Sequence, residues 1–200
     1  MWEVSNSMKL NDVIQVRNGK NSSRVKSSHE EIATYTFENM VDDLGKYAPY
    51  HENFNSSDTS EESTDNVSVS TGDVVFSFVS STSGIVSEAN EGKVLNQNFA
   101  KLIFSDEQLD SRYLCYCLNE SSYVKQQIAK FMEGGSLRRL KPTHLRELNI
   151  PIIEYQKQQI IGHAYFALLR RKYLQEQNLK QEENFVLALL EKQLHSEELS

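Results

Sequence analysis

Hydrophobic and polar residues follow one another along the first half of this chain in a pattern typical of short strands. Five stretches are rich in strand-forming residues, and polar turns such as residues 80–84 separate them. They cover residues 9–16, 32–37, 74–79, 85–86 and 94–104. A core sheet built as a meander of short strands is the simplest structure that this pattern predicts.

From Asp110 the spacing of apolar residues becomes helical. Asp110 or Ser111 can cap a first helix, and Ser121 or Ser122 can cap a second helix that ends at a glycine pair. Pro142 can begin a short third helix, because proline is tolerated in a first turn. The second half of the chain is therefore predicted to be mainly helical.

The longest uninterrupted stretch begins after Pro151, which favours the end of a strand at that point. From Glu154 to Leu194 the only helix breaker is Gly162, so the stretch predicts a helix of roughly 60 Å. Its apolar residues form a heptad-like seam with a polar middle. Either this helix folds back on its own domain, or it is a spacer and docking strut. The residues predicted to contact a partner are Ile161, Tyr165, Leu168, Leu179, Val186, Leu189 and Leu190.

Composition narrows the class of protein. Hydrophobic residues make up 38% of the 200 residues, which is low for a fully packed globule and suits an exposed helix beside a smaller domain. No apolar run approaches the roughly eighteen residues of a membrane span. The N-terminus lacks the basic and apolar regions of a secretory signal, so the expected location is the cytoplasm.

The net charge of −7 has its origin in one segment. Residues 38–73 contain nine acidic groups and one basic group, so the remainder is close to neutral and a local basic surface is compatible with the sequence. Residues 53–66 offer few apolar side chains to offset the entropy of ordering, and this piece is predicted to be mobile.

Two basic stretches are candidates for contact with nucleic acid. The first is the loop 17–26 with its Asn-Gly turn, the second follows the glycine pair 134–135, and the turn 80–83 is a weaker candidate. Arginine, lysine and asparagine donate to phosphates and base edges, although such loops are also found merely solvated. The predicted DNA-contacting residues are Arg17, Asn18, Lys20, Asn21, Arg24, Lys26, Ser81, Arg138, Arg139 and Lys141.

No combination of residues in the sequence suggests a reaction. It contains no Walker-type glycine loop, no Gly-x-Gly dinucleotide signature and no histidine pair at zinc spacing. Cys115 and Cys117 do not have the Cys-x-x-Cys spacing of metal sites, and buried reduced thiols on a helix are expected instead. We therefore expect neither a metal nor a cofactor, and no enzyme activity.

A series of motifs occurs in a defined order over almost the whole chain. They are Leu10, Gly19, Gly72-Asp73-Val74, Asn96-Gln97, Tyr113-Leu114, Gly135-Ser136, Leu145, Ile150-Pro151-Ile152, Glu154, Gln156 and Ile160. In order and spacing they resemble one half of the specificity subunit of a type I restriction–modification system. That family commonly has a second proline and a second acid where this chain has Ile152 and Tyr155. Because the acidic segment falls in the family's variable part, the resemblance does not give the DNA target.

This resemblance implies a mixed α/β fold with two parts. Residues 1–152 would form a small twisted β-sheet target-recognition domain with packed helices, with the variable acidic segment near 38–73. Residues 153–200 would form one long, coiled-coil-like spacer and dimerisation helix. The resemblance also implies a non-catalytic subunit that reads double-stranded DNA and recruits methyltransferase and restriction subunits.

A full-length subunit of that family usually carries two recognition domains and two long helices packed antiparallel, whereas this chain has one of each. The resemblance therefore suggests a homodimer, or pairing with another half-subunit. Such a pair is expected to read a split, inverted-repeat DNA site. Two alternatives stay open: an assembly protein that uses the long helix and binds no DNA, and an inactive specificity fragment.

Overall fold

The computed structural model describes residues 6–20, 33–46, 67–105, 109–133 and 139–197. Its strands are β1 (Ser7–Lys9), β2 (Ile14–Asn18), β3 (Val74–Ser77), β4 (Thr82–Ile85), β5 (Phe99–Phe104) and β6 (Asn149–Pro151). Its α-helices are α1 (Leu10–Val13), α2 (Phe37–Leu44), α3 (Ser111–Asn119), α4 (Ser122–Glu133), α5 (Pro142–Arg146) and α6 (Tyr155–Glu197). The predicted mixed α/β class with a long C-terminal helix is confirmed.

Two antiparallel sheets form the framework. Four strands lie in the order β2–β5–β3–β4, and β1 pairs separately with β6. All four residues of β3 are buried. Val74 and Phe76 belong to the main core with α3 and α6, whereas Val75 belongs to a second cluster that includes Met40 of α2. The sheet is therefore covered on both faces, as the near-continuous apolar run of β3 requires.

The single strand predicted over residues 9–16 is wrong. The chain forms β1, then the single turn of α1, then β2, so that it passes from the small sheet to the large one. The amide of Leu10 donates to the carbonyl of Leu148 at 2.8 Å, and Leu10 and Val13 are buried. Strand-forming composition cannot reveal this change of sheet, because the same apolar residues reach the core in either arrangement.

Helix α2 is the main element that the sequence pattern does not predict. Residues 32–37 read as a strand, yet Phe37 begins a helix. Thr36 and Asn39 form a capping box: Thr36 Oγ1 accepts from the Asn39 amide at 3.3 Å, and Asn39 Oδ1 accepts from the Thr36 amide at 3.0 Å. The predicted mobile piece, residues 53–66, lies outside the described residues.

A buried carboxylate fastens α2 to the rest of the domain. Asp43 is fully buried, and it accepts hydrogen bonds from Tyr35 Oη at 2.6 Å, Ser87 Oγ at 2.5 Å and Asn90 Nδ2 at 2.7 Å. Burial, together with the nearby charge of Asp43, raises the pKa of Tyr35 well above its ordinary value, so the phenol remains a donor. Because its oxygens are satisfied, this acid can lie in the interior.

Two further boundaries differ from the predictions. The turn between β3 and β4 lies at residues 78–81 rather than 80–84, and β4 begins at Thr82. The run 94–104 is a strand only from Phe99 onwards. Before it, Asn96 Oδ1 accepts from the Asn98 amide at 2.9 Å, and such local side-chain bonds compete with the ladder of a strand.

The predicted helix starts in the second half are confirmed where they are described. Asp110 caps α3, since its Oδ1 accepts from the Tyr113 amide at 2.8 Å. Pro142 begins α5, and Ser122 begins α4. The glycine pair 134–135, predicted to end α4, lies outside the described residues.

Helix α6 starts on the domain and ends away from it. Its 43 residues correspond to roughly 65 Å. A Cβ added at Gly162 would lie 2.6 Å from Arg112 Cβ and 2.8 Å from the Tyr113 nitrogen, so α3 and α6 can cross this closely only at a glycine. Phe166 is buried in the main core, whereas every residue from 174 to 194 is exposed.

Candidate nucleic-acid interface

One end of the four-stranded sheet gathers loops from distant parts of the chain. Asn18, the last residue of β2, lies opposite Ala100, and Ser77, the last residue of β3, lies opposite Phe99 and Thr82. The first loop, the β3–β4 turn and the segment before β5 therefore leave the sheet at the same end. We call this end the loop face, and it comprises residues 18–20, 36–37, 77–82, 95–99 and Arg139.

Residues 19 and 20, at the start of the first loop, are held tightly on the segment before β5. The amide of Gly19 donates to the Phe99 carbonyl at 2.9 Å, and the amide of Lys20 donates to the Leu95 carbonyl at 3.2 Å. A Cβ at position 19 would lie 2.2 Å from the carbonyl oxygen of Asn96, which no side chain tolerates. Gly19 is thus required for close backbone packing, and it fixes where Asn18 and Lys20 are presented.

Arg139 joins the loop face from the other half of the chain. Its Nη2 donates to the Gln97 carbonyl at 3.2 Å and to Asn98 Oδ1 at 3.0 Å. A guanidinium has only donors, so the oxygen of the Asn98 amide must face Arg139. The NH₂ group of Asn98 therefore points away from Arg139. Arg139 therefore orders the segment before β5 in addition to placing a positive charge beside it.

A cavity of about 300 Å³ opens on the loop face. Its lining combines apolar and small polar side chains, namely Thr36, Phe37, Ser77, Val79, Ser80, Asn96, Asn98 and Phe99. Phe37 is 52% exposed and Val79 is 62% exposed, although large apolar side chains are normally covered. The turn that carries Val79 includes Ser81 with a φ of 53°, a left-handed conformation that is rare for residues other than glycine.

Six of the ten predicted DNA-contacting residues are described, and five of these six lie together. Arg17, Asn18, Lys20, Ser81 and Arg139 are at or beside the loop face. Lys141 is the exposed residue before α5. Asn21, Arg24, Lys26 and Arg138 lie outside the described residues.

Two other basic groups of the domain have structural partners. Arg146 Nη2 donates to the Val16 carbonyl at 3.0 Å, so it ties α5 to β2. Lys101 forms a buried ion pair with Asp73 at 2.8 Å, and Asp73 also accepts from the Ser70 amide at 2.6 Å. The preceding Gly72 has a φ of 89°, a conformation that suits glycine. The Gly-Asp-Val motif therefore forms a turn and a buried ion pair of the fold.

Sequence reasoning missed the amides that organise these contacts. Asn96 and Asn98 line the cavity. The sequence analysis named Asn96 as part of the Asn96-Gln97 motif and did not name Asn98. Asn119 holds β4 and the long helix together, since Nδ2 donates to the Ser83 carbonyl at 2.8 Å and to Tyr165 Oη at 3.1 Å. The run of amides immediately before an apolar strand could have indicated Asn96 and Asn98. Nothing in the sequence distinguishes Asn119 from other asparagines.

The partner surface predicted on the long helix divides into two parts. Tyr165 is 8% exposed and lies in the domain's own core, and Ile161 packs partly against the same core. The prediction for Tyr165 is therefore corrected: its ring anchors α6 to α3 and is not available to another chain. The remaining predicted residues are exposed, and they are Leu168, Leu179, Val186, Leu189 and Leu190.

The end of the helix exposes more apolar surface than the sequence analysis selected. Leu174, Phe185, Leu187 and Leu194 are 45%, 65%, 56% and 70% exposed. We call the exposed apolar residues of positions 174–194 the strut surface. Six of these residues lie between positions 185 and 194, and exposed apolar surface gathered in this way marks interaction sites in folded proteins. Arg170 fixes the root of the strut, because it donates to the carbonyls of Gly45 and Lys46 at the end of α2.

The two cysteines lie in the interior and form no disulfide. Cys115 and Cys117 are buried free thiols, as predicted, and burial raises the pKa of each to about 12. In the described part of the chain, no three His, Cys, Asp or Glu side chains are grouped so that they could hold a metal ion. No helix among the described residues is long and apolar enough to cross a membrane.

The fold is similar to part of two solved structures. The HsdS subunit from Thermoanaerobacter tengcongensis is similar over 84% of this chain and 38% of that chain, with 16% identity and a TM-score of 0.50. A second solved structure concerns complex assembly and conformational transition of the type I R-M system. Its similarity to the present protein covers 95% of this chain and 44% of that chain. Its identity is 16% and its TM-score 0.57. The chain thus spans less than half the length of either structure.

The model of one protein family matches most of this sequence. Residues 2–183 match the type I restriction modification DNA specificity domain. The chain therefore belongs to this family of DNA specificity domains, which agrees with the resemblance carried by its motifs. A comparison with curated protein sequences gives no match.

Proposed function

We propose that this chain is a non-catalytic specificity subunit that reads double-stranded DNA with its loop face. The observation that supports this most is the position of Asn18, Lys20, Ser81 and Arg139. These residues come from three separate parts of the sequence and lie at one end of the sheet. Membership in the family of DNA specificity domains supports the same function.

The loop face has the chemistry that such a role needs. Lys20 and Arg139 supply positive charge for phosphates, and Asn18 supplies an exposed amide. Gly19 and Arg139 hold the backbone of this face from two sides, so the donors are ordered before DNA arrives. Preorganised donors lose less entropy on binding and so discriminate better between partners.

Binding to random-sequence duplex DNA at two salt concentrations tests this proposal. We expect affinity to fall steeply between 50 and 200 mM salt, by roughly ten- to a hundredfold if only a few phosphates are contacted. Lys20→Ala is expected to weaken binding to all sequences and to flatten the salt dependence. Lys157→Ala is the matched control, because Lys157 is exposed at the start of α6 and pairs only weakly with Glu154 at 3.3 Å. Equal affinities for wild type and both variants would contradict the proposal.

We further propose that the strut surface pairs with a second copy of this chain or with another half-subunit. Residues 1–152 would act as the recognition domain and residues 153–200 as the helix that sets the distance between two such domains. In an antiparallel pair, each strut surface would be covered by the domain end of the partner's helix. Two-fold symmetry then predicts an inverted-repeat DNA site with a fixed gap.

Sedimentation equilibrium and helicity as a function of concentration test the pairing. The wild type is expected to form a dimer, and Leu189→Lys is expected to weaken the dimer strongly, because it places a charge in an apolar interface. Val41→Lys is the control, since Val41 is 50% exposed on α2 and lies outside the strut surface. A wild type that stays monomeric at high concentration would rule the pairing out.

We also propose that the chain recruits methyltransferase subunits, and a restriction subunit where one exists. The chain itself would do no chemistry and would act in the cytoplasm, where its DNA is found. A pull-down from native cytosol should return a methyltransferase. The rival proposal, an assembly protein without a DNA target, draws support only from the strut surface and predicts no salt-dependent binding to DNA.

A further inference from the structure

We propose that the cavity on the loop face reads the major-groove edge of one thymine, and that Asn98 is the residue that determines this choice. The proposal rests on the proposed DNA binding and adds a particular base and particular residues to it. Phe37 and Val79 would receive the C5-methyl group, and the amide of Asn98 would donate to O4.

The first observation is the orientation of the Asn98 amide. Its Oδ1 accepts from Arg139 Nη2 at 3.0 Å, and because a guanidinium only donates, the oxygen must face Arg139. No residue of the described ranges accepts a hydrogen bond from Asn98 Nδ2. The end of the Asn98 amide that has no partner among the described residues is therefore its NH₂ group, which is a donor. Arg139 acts here as a positioning residue.

The neighbouring amide has the same polarity. Asn96 also lines the cavity, and its Oδ1 is occupied by the backbone amide of Asn98 at 2.9 Å. Its NH₂ group is thus the remaining end. Two amides whose oxygens are both engaged make this wall of the cavity a source of donors, which selects a base edge that presents acceptors.

The second observation is the apolar side of the same cavity. Phe37 and Val79 line it and remain 52% and 62% exposed, so their apolar surface is available to a ligand. Phe37 is held at the start of α2 by the capping box of Thr36, and Val79 is held by the β3–β4 turn. An apolar patch next to a donor wall is a specific combination.

Only one base presents the complementary edge in the major groove. Thymine has an acceptor, O4, next to the C5-methyl group, whereas cytosine presents a donor, N4, at the position of O4. A cytosine would therefore place donor against donor. Guanine offers acceptors but no methyl group to cover Phe37 and Val79, and adenine presents an N6 donor beside its N7 acceptor. The cavity accordingly favours thymine.

The decisive variant is Asn98→Asp. It keeps the shape of the side chain and an oxygen for Arg139, but it replaces the NH₂ donor by an acceptor. A carboxylate accepts from cytosine N4, so the preference at one position of the DNA site should change from thymine to cytosine. Gln97→Glu is the matched control, because it makes the same charge change in the same loop while Gln97 does not line the cavity.

The experiment is a selection of bound sequences from a random duplex pool, with the full chain and these two variants. The wild type should enrich a site with at least one invariant thymine, Asn98→Asp should change that position to cytosine, and Gln97→Glu should keep thymine. The assignment of Asn98 would be overturned if Asn98→Asp kept the preference for thymine. It would also be overturned if both variants lost that preference to the same extent. If the wild type enriched no sequence at all, the proposed DNA reading would fail together with this inference.

Replacing the selected thymine by deoxyuridine removes the methyl group alone. We expect the wild type to lose roughly fourfold in affinity, the equivalent of one buried methyl-sized group. Val79→Ala should be nearly insensitive to the same replacement, whereas Val41→Ala, on the exposed side of α2, should behave like the wild type. An unchanged wild-type affinity for every deoxyuridine duplex would refute the methyl contact.

Discussion

Substituting alanine for Gly162 should destabilise the protein although it improves the helix. In a helix interior, alanine is more favourable than glycine by about 1 kcal/mol. At this position, however, a Cβ would lie 2.6 Å from Arg112 Cβ, 2.8 Å from the Tyr113 nitrogen and 2.9 Å from Asp110 Oδ1. Because two of these atoms belong to backbone-fixed parts of α3, they cannot simply rotate away.

The size of the effect follows from these contacts. Overpacking of this kind costs about 1–3 kcal/mol. Asp110 Oδ1 also accepts the capping bond from the Tyr113 amide at 2.8 Å, and its displacement costs about 1 kcal/mol. After the gain in helix propensity is subtracted, Gly162→Ala should lower the free energy of unfolding by about 1–3 kcal/mol.

Urea unfolding followed by near-ultraviolet circular dichroism measures this change, since Tyr113, Tyr116 and Tyr165 lie near the crossing with ring centroids 5.7 to 6.4 Å apart. Asn178→Ala is the control for helix propensity, because Asn178 is exposed in the same helix. It should stabilise the chain by at most about 0.7 kcal/mol, the span of propensities of ordinary residues. If Gly162→Ala were as stabilising as the control, the close crossing of α3 and α6 would be wrong.

Three further predictions concern other parts of the molecule. Gly19→Ala should reduce DNA affinity in an equilibrium titration and also lower stability, because its methyl group would lie 2.2 Å from the Asn96 carbonyl oxygen; wild-type affinity would contradict the packing of the first loop. Lys101→Met should lower the free energy of unfolding by about 3–5 kcal/mol in urea, since it leaves the buried charge of Asp73 without its cation and with the Ser70 amide as a remaining donor. Cys115 and Cys117 should react with a thiol reagent at pH 8 only after unfolding, because burial raises the pKa of both to about 12; rapid reaction of the folded chain would show that they are accessible.

The elements that the sequence predicted best are those with local signals. Asp110 as a cap, Pro142 as a first helical residue and the long helix after Pro151 all follow from the chemistry of a few neighbouring residues. Helix α2 was not predicted because it is short and acidic. Its stability comes from the hydrogen bonds of Asp43 with Tyr35 and Asn90, which lie outside the helix. Tertiary contacts of this kind override local propensity.

The candidate site was predictable in its residue types and not in its geometry. Asn18, Lys20 and Arg139 follow from the donors that DNA contact requires. Their meeting at one end of the sheet depends on strand order, which the alternation of apolar residues does not reveal. The same holds for Tyr165, whose seam position suggested a partner while the fold places it in the core. The role of Asn98 could be recognised only from the donor that faces it.

The most direct test of the account is the equilibrium affinity of the full chain for its best selected duplex and for a scrambled duplex of the same composition. Specific DNA reading predicts that the selected duplex binds more tightly by roughly a hundredfold or more at physiological salt, since each wrong base pair costs about 1–3 kcal/mol. Equal affinity for the two duplexes, or no binding to either in low salt, would contradict the central claim and leave the strut surface of the long helix as the functional part.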